Sequence, residues 1–272
     1  MSPTGNRIAL VSSVGEDIIV YDTKTQDLIS TIARTAYEPD SHTMRFNEDG
    51  TQLFTASVNK HARVYDVATG KTIRFFIGHT AKITCLDVRG DLIATGSKDT
   101  TVRLWNMEEK EAILTFGGHA RPIVCLAISH QRDWIVSCSS YGVVYVWDRT
   151  GHVLHHFIKS VRDLCFIGQT HGIVFMSNSG FGFTAWNPNT PNKDLWISYD
   201  VHAHTARMAP SGEFVAFQTG DDVSMISLID QERRGMDVFL TGEIGNSPVG
   251  LFMRNDGDRA ITSRIWNWLR QI

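Results

Sequence analysis

Long hydrophobic runs are the first thing this sequence lacks. No stretch of its 272 residues approaches the ~20 apolar positions a helix needs to cross a bilayer. The opening residues, Met1-Ser2-Pro3-Thr4-Gly5-Asn6-Arg7, hold no apolar signal core, and no Asn-x-Ser/Thr acceptor site occurs. Charge of one sign is also scarce. The 26 basic and 29 acidic side chains leave a formal charge of −3, which gives no overall drive toward nucleic acid or an anionic membrane. A local basic patch is compatible with that balance. Cysteine is limited to 4 residues, with no C-x-x-C pair and no paired-histidine spacing beside them, so no zinc motif is expected. These absences predict an intracellular protein, cytoplasmic, nuclear or both, without a membrane span, metal or other cofactor.

What is present is a repeat. Gly78-His79, Ile83-Thr84-Cys85-Leu86 and Thr101-Val102-Arg103-Leu104-Trp105-Asn106 are followed, forty residues on, by Gly118-His119, Ile123-Val124-Cys125-Leu126 and Val144-Tyr145-Val146-Trp147-Asp148. The residue closing the third alternating run of each unit forms a ruler: Tyr21, Tyr65, Trp105, Trp147, Trp186, Ile226 and Trp266, at intervals of 39 to 44. Short period-2 runs separated by turn signals such as Asp49-Gly50 read as antiparallel strands and hairpins. A period near 40, opening on Gly-His and closing on Trp-Asp, resembles the WD40 repeat, in which each unit is a four-stranded propeller blade.

The resemblance implies an all-β WD40 β-propeller, one domain over 1–272, with units near 7–34, 37–77, 79–117, 119–158, 161–197, 204–242 and 247–269. Seven ruler marks favour seven blades. A six-bladed ring would close instead if 249–253 supplied the inner strand for which the first unit has no room before Arg7. The first and last blades are expected to be incomplete, since the seventh unit is compressed and has no fourth strand. Cys85, Cys125 and Cys165, 40 apart, are expected at one position of three successive inner strands, as small core residues too distant from one another for disulfides.

The chemistry-bearing residues follow the repeat. In the third unit Asp99 can accept from the imidazole of His79, which orients the ring toward Thr95. The Thr95 hydroxyl can reach the indole N–H of Trp105. The resemblance implies this buried structural set, and the fourth unit keeps His119, Ser137 and Trp147 but has Tyr141 where the aspartate belongs. Asn59 stands there in the second unit, Gly180 and Gly220 in the fifth and sixth. A Ser-His-Asp nucleophile set is the wrong reading, because no G-x-S-x-G elbow or oxyanion donor accompanies it. His152, His155 and His156 alternate faces of one strand and do not converge on a metal. Gly180-Phe181-Gly182 lacks the third glycine and following helix of a phosphate loop.

With no enzyme constellation, a rigid disc presenting loops reads as a binding device. The resemblance implies a non-catalytic scaffold or adaptor subunit of an intracellular multiprotein complex, monomeric within it, docking peptides or domains on the narrow face. Carried onto this sequence, that face includes Lys82, Lys98, Arg121, Ser140, Tyr141, Arg162, Phe181 and Arg207, with His42, Val58 and Pro122 beside them. The basic positions suggest an acidic or phosphorylated ligand. The alternative is an RNA-binding propeller subunit of a ribonucleoprotein, stacking bases on Tyr141 or Phe181. The net charge makes nucleic acid the less favoured partner.

Overall fold

Alternation governs the third strands. In Val143–Asp148, Val144 and Val146 are buried while Val143 and Tyr145 are half-exposed, so β-branched and aromatic residues line both faces of a sheet packed between neighbours. The computed structural model describes residues 1–11, 17–33, 43–57, 59–166, 171–176, 186 and 188. As backbone alone it describes 177, 183–185, 205–208, 214–219, 222–227 and 239–243. Among these residues the fold is all-β, with no helix and six antiparallel sheets.

The sheets are sequential meanders. The first holds β1 (Arg7–Val11), β2 (Ile18–Asp22) and β3 (Leu28–Ile32). The second holds β4 (Met44–Phe46), β5 (Gln52–Ala56), β6 (His61–Asp66) and β7 (Thr72–Ile77). β8 (Ile83–Arg89), β9 (Leu92–Ser97), β10 (Val102–Trp105) and β11 (Leu114–Phe116) form the third. The fourth is β12 (Ile123–Ile128), β13 (Trp134–Ser139), β14 (Val143–Asp148) and β15 (Val153–Ile158). β16 (Val161–Phe166), β17 (Ile173–Ser177) and β18 (Phe183–Trp186) follow. The sixth is β19 (Thr205–Met208), β20 (Phe214–Thr219), β21 (Asp222–Ser227) and β22 (Phe239–Glu243). The seventh unit, 247–269, lies outside the described residues.

The ruler residues occupy one register. Tyr21 lies opposite Ile8, Tyr65 opposite Leu53, Trp105 opposite Ile93, Trp147 opposite Ile135, Trp186 opposite Ile173, and Ile226 opposite Val215. The acidic or amide residue after the ruler closes the outer hairpin: Oδ1 of Asp22, Asn106 and Asp148 each accept two or more backbone N–H groups of the turn, and Oδ1 of Asp66 accepts from Thr69. By register, β1 is a second strand, so the first sheet has no inner strand among the described residues, and Leu10 and Val11 of β1 are exposed.

Neighbouring sheets are joined by aromatic rings. Phe76 of β7 packs on Trp105 of the next sheet (5.4 Å between ring centroids), Phe116 stacks on Trp147 (4.4 Å, 6° between planes), and Phe157 packs on Trp186 (5.6 Å). The inner strands run side by side, and hydrogen bonds tie them. Thr43 Oγ1 donates to the Thr84 carbonyl, Thr84 Oγ1 to the Ile123 carbonyl, and the Ile128 N–H to the buried Asp87 carboxylate.

One expectation is overturned. Cys85 and Cys125 share a register, opposite Gly96 and Cys138, each two places after the bulged start of the strand. The counterpart in β16 is Asp163, opposite Met176, and Cys165 lies two positions further on. The cause is loop length. Ile123 follows Phe116 by seven positions, whereas Val161 follows Phe157 by four, and the shortened loop carries no Gly-His pair. All four cysteines are free, and burial pushes the Cys85 thiol up to about 12.

Candidate binding face

In the third and fourth units the turn between second and third strands folds back on the loop leading into the inner strand of the same unit. The Lys98 N–H donates to the Lys82 carbonyl at 2.9 Å, and the Ser140 N–H to the Pro122 carbonyl at 2.8 Å. These bonds set Lys82 beside Lys98, and Arg121 beside Ser140 and Tyr141, at one end of the sheets. The second turn residue has a left-handed backbone in the second, third and fourth units: Lys60 at φ 70°, Thr100 at 73° and Gly142 at 76°. Glycine is required at 142, because a Cβ there would meet the Lys159 carbonyl oxygen at 2.4 Å.

In the third unit the turn carries a closed polar chain. His79 Nδ1 lies 2.8 Å from Asp99 Oδ2, His79 Nε2 lies 2.8 Å from Thr95 Oγ1, and the Trp105 indole N–H donates to Thr95 Oγ1 at 2.9 Å. Asp99 also accepts the Thr80 N–H and both donors of Thr101. Burial works to raise the Asp99 carboxyl, but the hydrogen bonds from Thr101, Thr80 and His79 prevail and hold it at about 2. Burial pushes the His79 imidazole below its ordinary value, opposed in part by Asp99. The set is therefore a carboxylate and a neutral ring. Nδ1 carries the proton, and Nε2 accepts from Thr95. Asp99→Asn or His79→Ala is expected to lower stability by about 1–3 kcal/mol, because each leaves buried partners unpaired. A thermal melt at pH 7 checks this, and an unshifted midpoint in either variant contradicts it.

The fourth unit keeps the same chain up to the ring and stops there. The Trp147 N–H donates to Ser137 Oγ at 3.1 Å, and His119 Nε2 lies 2.8 Å from that oxygen. His119 is 4% exposed, and among the described residues its Nδ1 has no hydrogen-bond partner. Nothing opposes burial, which pushes this imidazole down to about 4. Tyr141, in the aspartate's place, is 68% exposed instead, and the Arg121 guanidinium lies 4.8 Å from its ring centroid.

The remaining face positions are not all brought together. Arg162 is the bulged residue of β16, in the register of Thr84 and Val124, and is exposed just inside the inner strand. Arg207 is removed from the incoming loop. It lies in β19 opposite Ala216, the register of Asp87 opposite Ala94, four positions beyond that of Ile83. Phe181, His42 and Val58 lie outside the described residues. Two features escaped the sequence reading. Phe175 occupies the register of Thr95 and Ser137, so the fifth unit replaces the hydroxyl with a ring. Lys159 donates its N–H to the Gly142 carbonyl and sets its ammonium 5.7 Å from the Phe175 ring. The missing Gly-His pair was the available signal for both.

His155 lies edge-on to Trp186 at 4.9 Å and His156 stacks toward Tyr145 at 6.1 Å, on opposite faces of β15. Among the described residues no group of three His, Cys, Asp or Glu side chains is placed to hold a metal, and no helix is long and apolar enough to cross a membrane.

The family profile described as WD domain, G-beta repeat matches residues 70–106 and 110–148, the stretches that end on Trp105-Asn106 and Trp147-Asp148. The chain belongs to the WD40-repeat family. Its similarity extends to the COMPASS component SWD3 of Saccharomyces cerevisiae, at 27% identity over 57% of this chain and 49% of that protein. It is 29% identical to the target of rapamycin complex subunit wat1 of Schizosaccharomyces pombe, over 79% of this chain and 67% of wat1. The pre-mRNA-splicing factor cwf17 of the same yeast is 24% identical over 44% of this chain and 36% of its own. The chain thus spans about half the length of SWD3 and about a third of cwf17. Within this WD40 protein, the two profile-matched units are those that hold the intact and the broken polar chain.

Proposed function

We propose that this chain is a non-catalytic scaffold or adaptor, a single WD40 propeller domain over 1–272, and a subunit of an intracellular multiprotein complex in cytoplasm or nucleus. It docks a peptide or domain of another protein on the face formed by the turns between second and third strands. The single observation that carries the reading is the Arg121–Tyr141 pair, an exposed ring under a guanidinium, with Lys82 and Lys98 at the corresponding turn of the preceding unit. Tyrosine and arginine are favoured anchors at protein interfaces. Three relatives named as complex components or a splicing factor support the general role.

The basic lining favours an acidic or phosphorylated segment. The test is affinity purification of the tagged protein from its native cells beside a Lys98→Glu, Arg121→Glu, Tyr141→Ala variant that still melts cooperatively. Specific partners are expected to be lost with the variant. Full retention of the same partners contradicts the assignment of this face. Salt-sensitive capture of single-stranded RNA alone, abolished by the variant, decides for the ribonucleoprotein reading instead.

A further inference from the structure

Two neighbouring units of one molecule provide an internal comparison. In both, tryptophan donates to a hydroxyl and the hydroxyl meets Nε2 of a buried histidine, so both rings are held in one orientation. In the third unit the far ring nitrogen meets a carboxylate. In the fourth the same nitrogen, on a ring 4% exposed, has no hydrogen-bond partner among the described residues. A buried donor without an acceptor costs about 1–3 kcal/mol, so a native fold that keeps one calls for an explanation. The residue that should fill it, Tyr141, points its ring outward under Arg121.

We infer that the fourth unit is a carboxylate-binding pocket, in which an Asp or Glu side chain of a partner protein takes the place beside His119 Nδ1 that Asp99 takes beside His79 Nδ1. Three features select a carboxylate. The unit-three counterpart is an ionised carboxylate held by the ring, by the Thr80 N–H and by both donors of Thr101, and Ala120 and Val143 stand at those two positions here. The vacant group is a donor when the ring shares the tautomer of His79. Arg121 supplies positive charge at the mouth, above Tyr141. The rings recorded against His119 are those of Phe116 and Tyr145, while Tyr141 is already turned to solvent. Neutral peptides lack the charge that makes such a bond strong. This deepens the docking proposal by naming the group the face recognises.

The test reads one atom. Protein labelled with ¹⁵N at histidine is titrated with a blocked Gly-Asp-Gly-Glu-Gly peptide and with its Asn/Gln counterpart. The expected result is a saturable shift of the His119 Nδ1 signal with the acidic peptide alone, with the His79 signals unmoved. A Tyr141→Asp protein, in which the pocket is filled from within, is expected to show no response. Absence of a His119 shift, an equal shift with the amide peptide, or persistence of the shift in Tyr141→Asp overturns the inference. The titration and the partner capture fail independently, because the first reads His119 and the second reads the whole face.

Discussion

Trp147→Ala is expected to lower stability by about 3–5 kcal/mol, the cost of truncating a large side chain that is fully buried. Three separate losses combine there. The indole stacks on Phe116 of the preceding sheet, so its removal opens the contact between two sheets and not only one. The indole N–H is the donor at the base of the polar chain, and without it Ser137 keeps only His119 as a side-chain partner. The core cluster around it includes Leu104, Phe116 and Ile135, which cannot collapse into the space without moving strands. Urea unfolding followed by tryptophan fluorescence and circular dichroism measures the effect. A loss below about 1 kcal/mol would show that the sheets do not depend on this ring stack.

The second large effect is a loss of stability in mild acid. His119 titrates near 4 in the folded protein and near its ordinary 6.5 in the unfolded chain. Between those values the unfolded chain binds more protons, so stability falls as pH falls. His119 alone accounts for about 3 kcal/mol, lost as pH falls from the ordinary histidine value through about 4 and levelling off below it. His79 and His155, both lowered by burial, act in the same direction. Asp99, held at about 2, contributes stability that disappears only as pH drops from the ordinary carboxylate range toward 2. The acid limb is therefore expected to begin in the histidine range. Urea midpoints at pH 7, 5.5 and 4.5 check the order. A flat profile down to pH 4.5 contradicts the burial of a neutral His119.

Most of the architecture was legible because two independent periodicities agree. The ruler residues repeat at about 40, and each sits at one register because it closes a third strand whose hairpin is capped by the next side chain, as with Tyr65-Asp66 and Trp147-Asp148. Spacing failed where a loop changed length. Cys165 is 40 residues after Cys125 by count, yet the loop before Val161 is shorter by three, so pairing and count disagree. Arg207 was misplaced for a related reason: without a Gly-His mark, nothing in the sixth unit shows how far the inner strand has advanced. The defect at Tyr141 could be read from residue types. Whether His119 finds another acceptor could not, because that depends on where Tyr145, Phe116 and the turn lie in space. The exposure of Tyr141 under Arg121 is likewise a matter of geometry, since a tyrosine in a turn can fold either way.

Stability and docking meet in one substitution. If the fourth unit gave up an internal carboxylate for a face that recognises a partner's, then Tyr141→Asp restores folding at the expense of docking. The most direct measurement is therefore the thermal midpoint of Tyr141→Asp at pH 5.5 together with the set of partners it captures from native cells. A raised midpoint and depleted partners are expected in the same protein. A raised midpoint with every partner retained, or an unchanged midpoint, would contradict it.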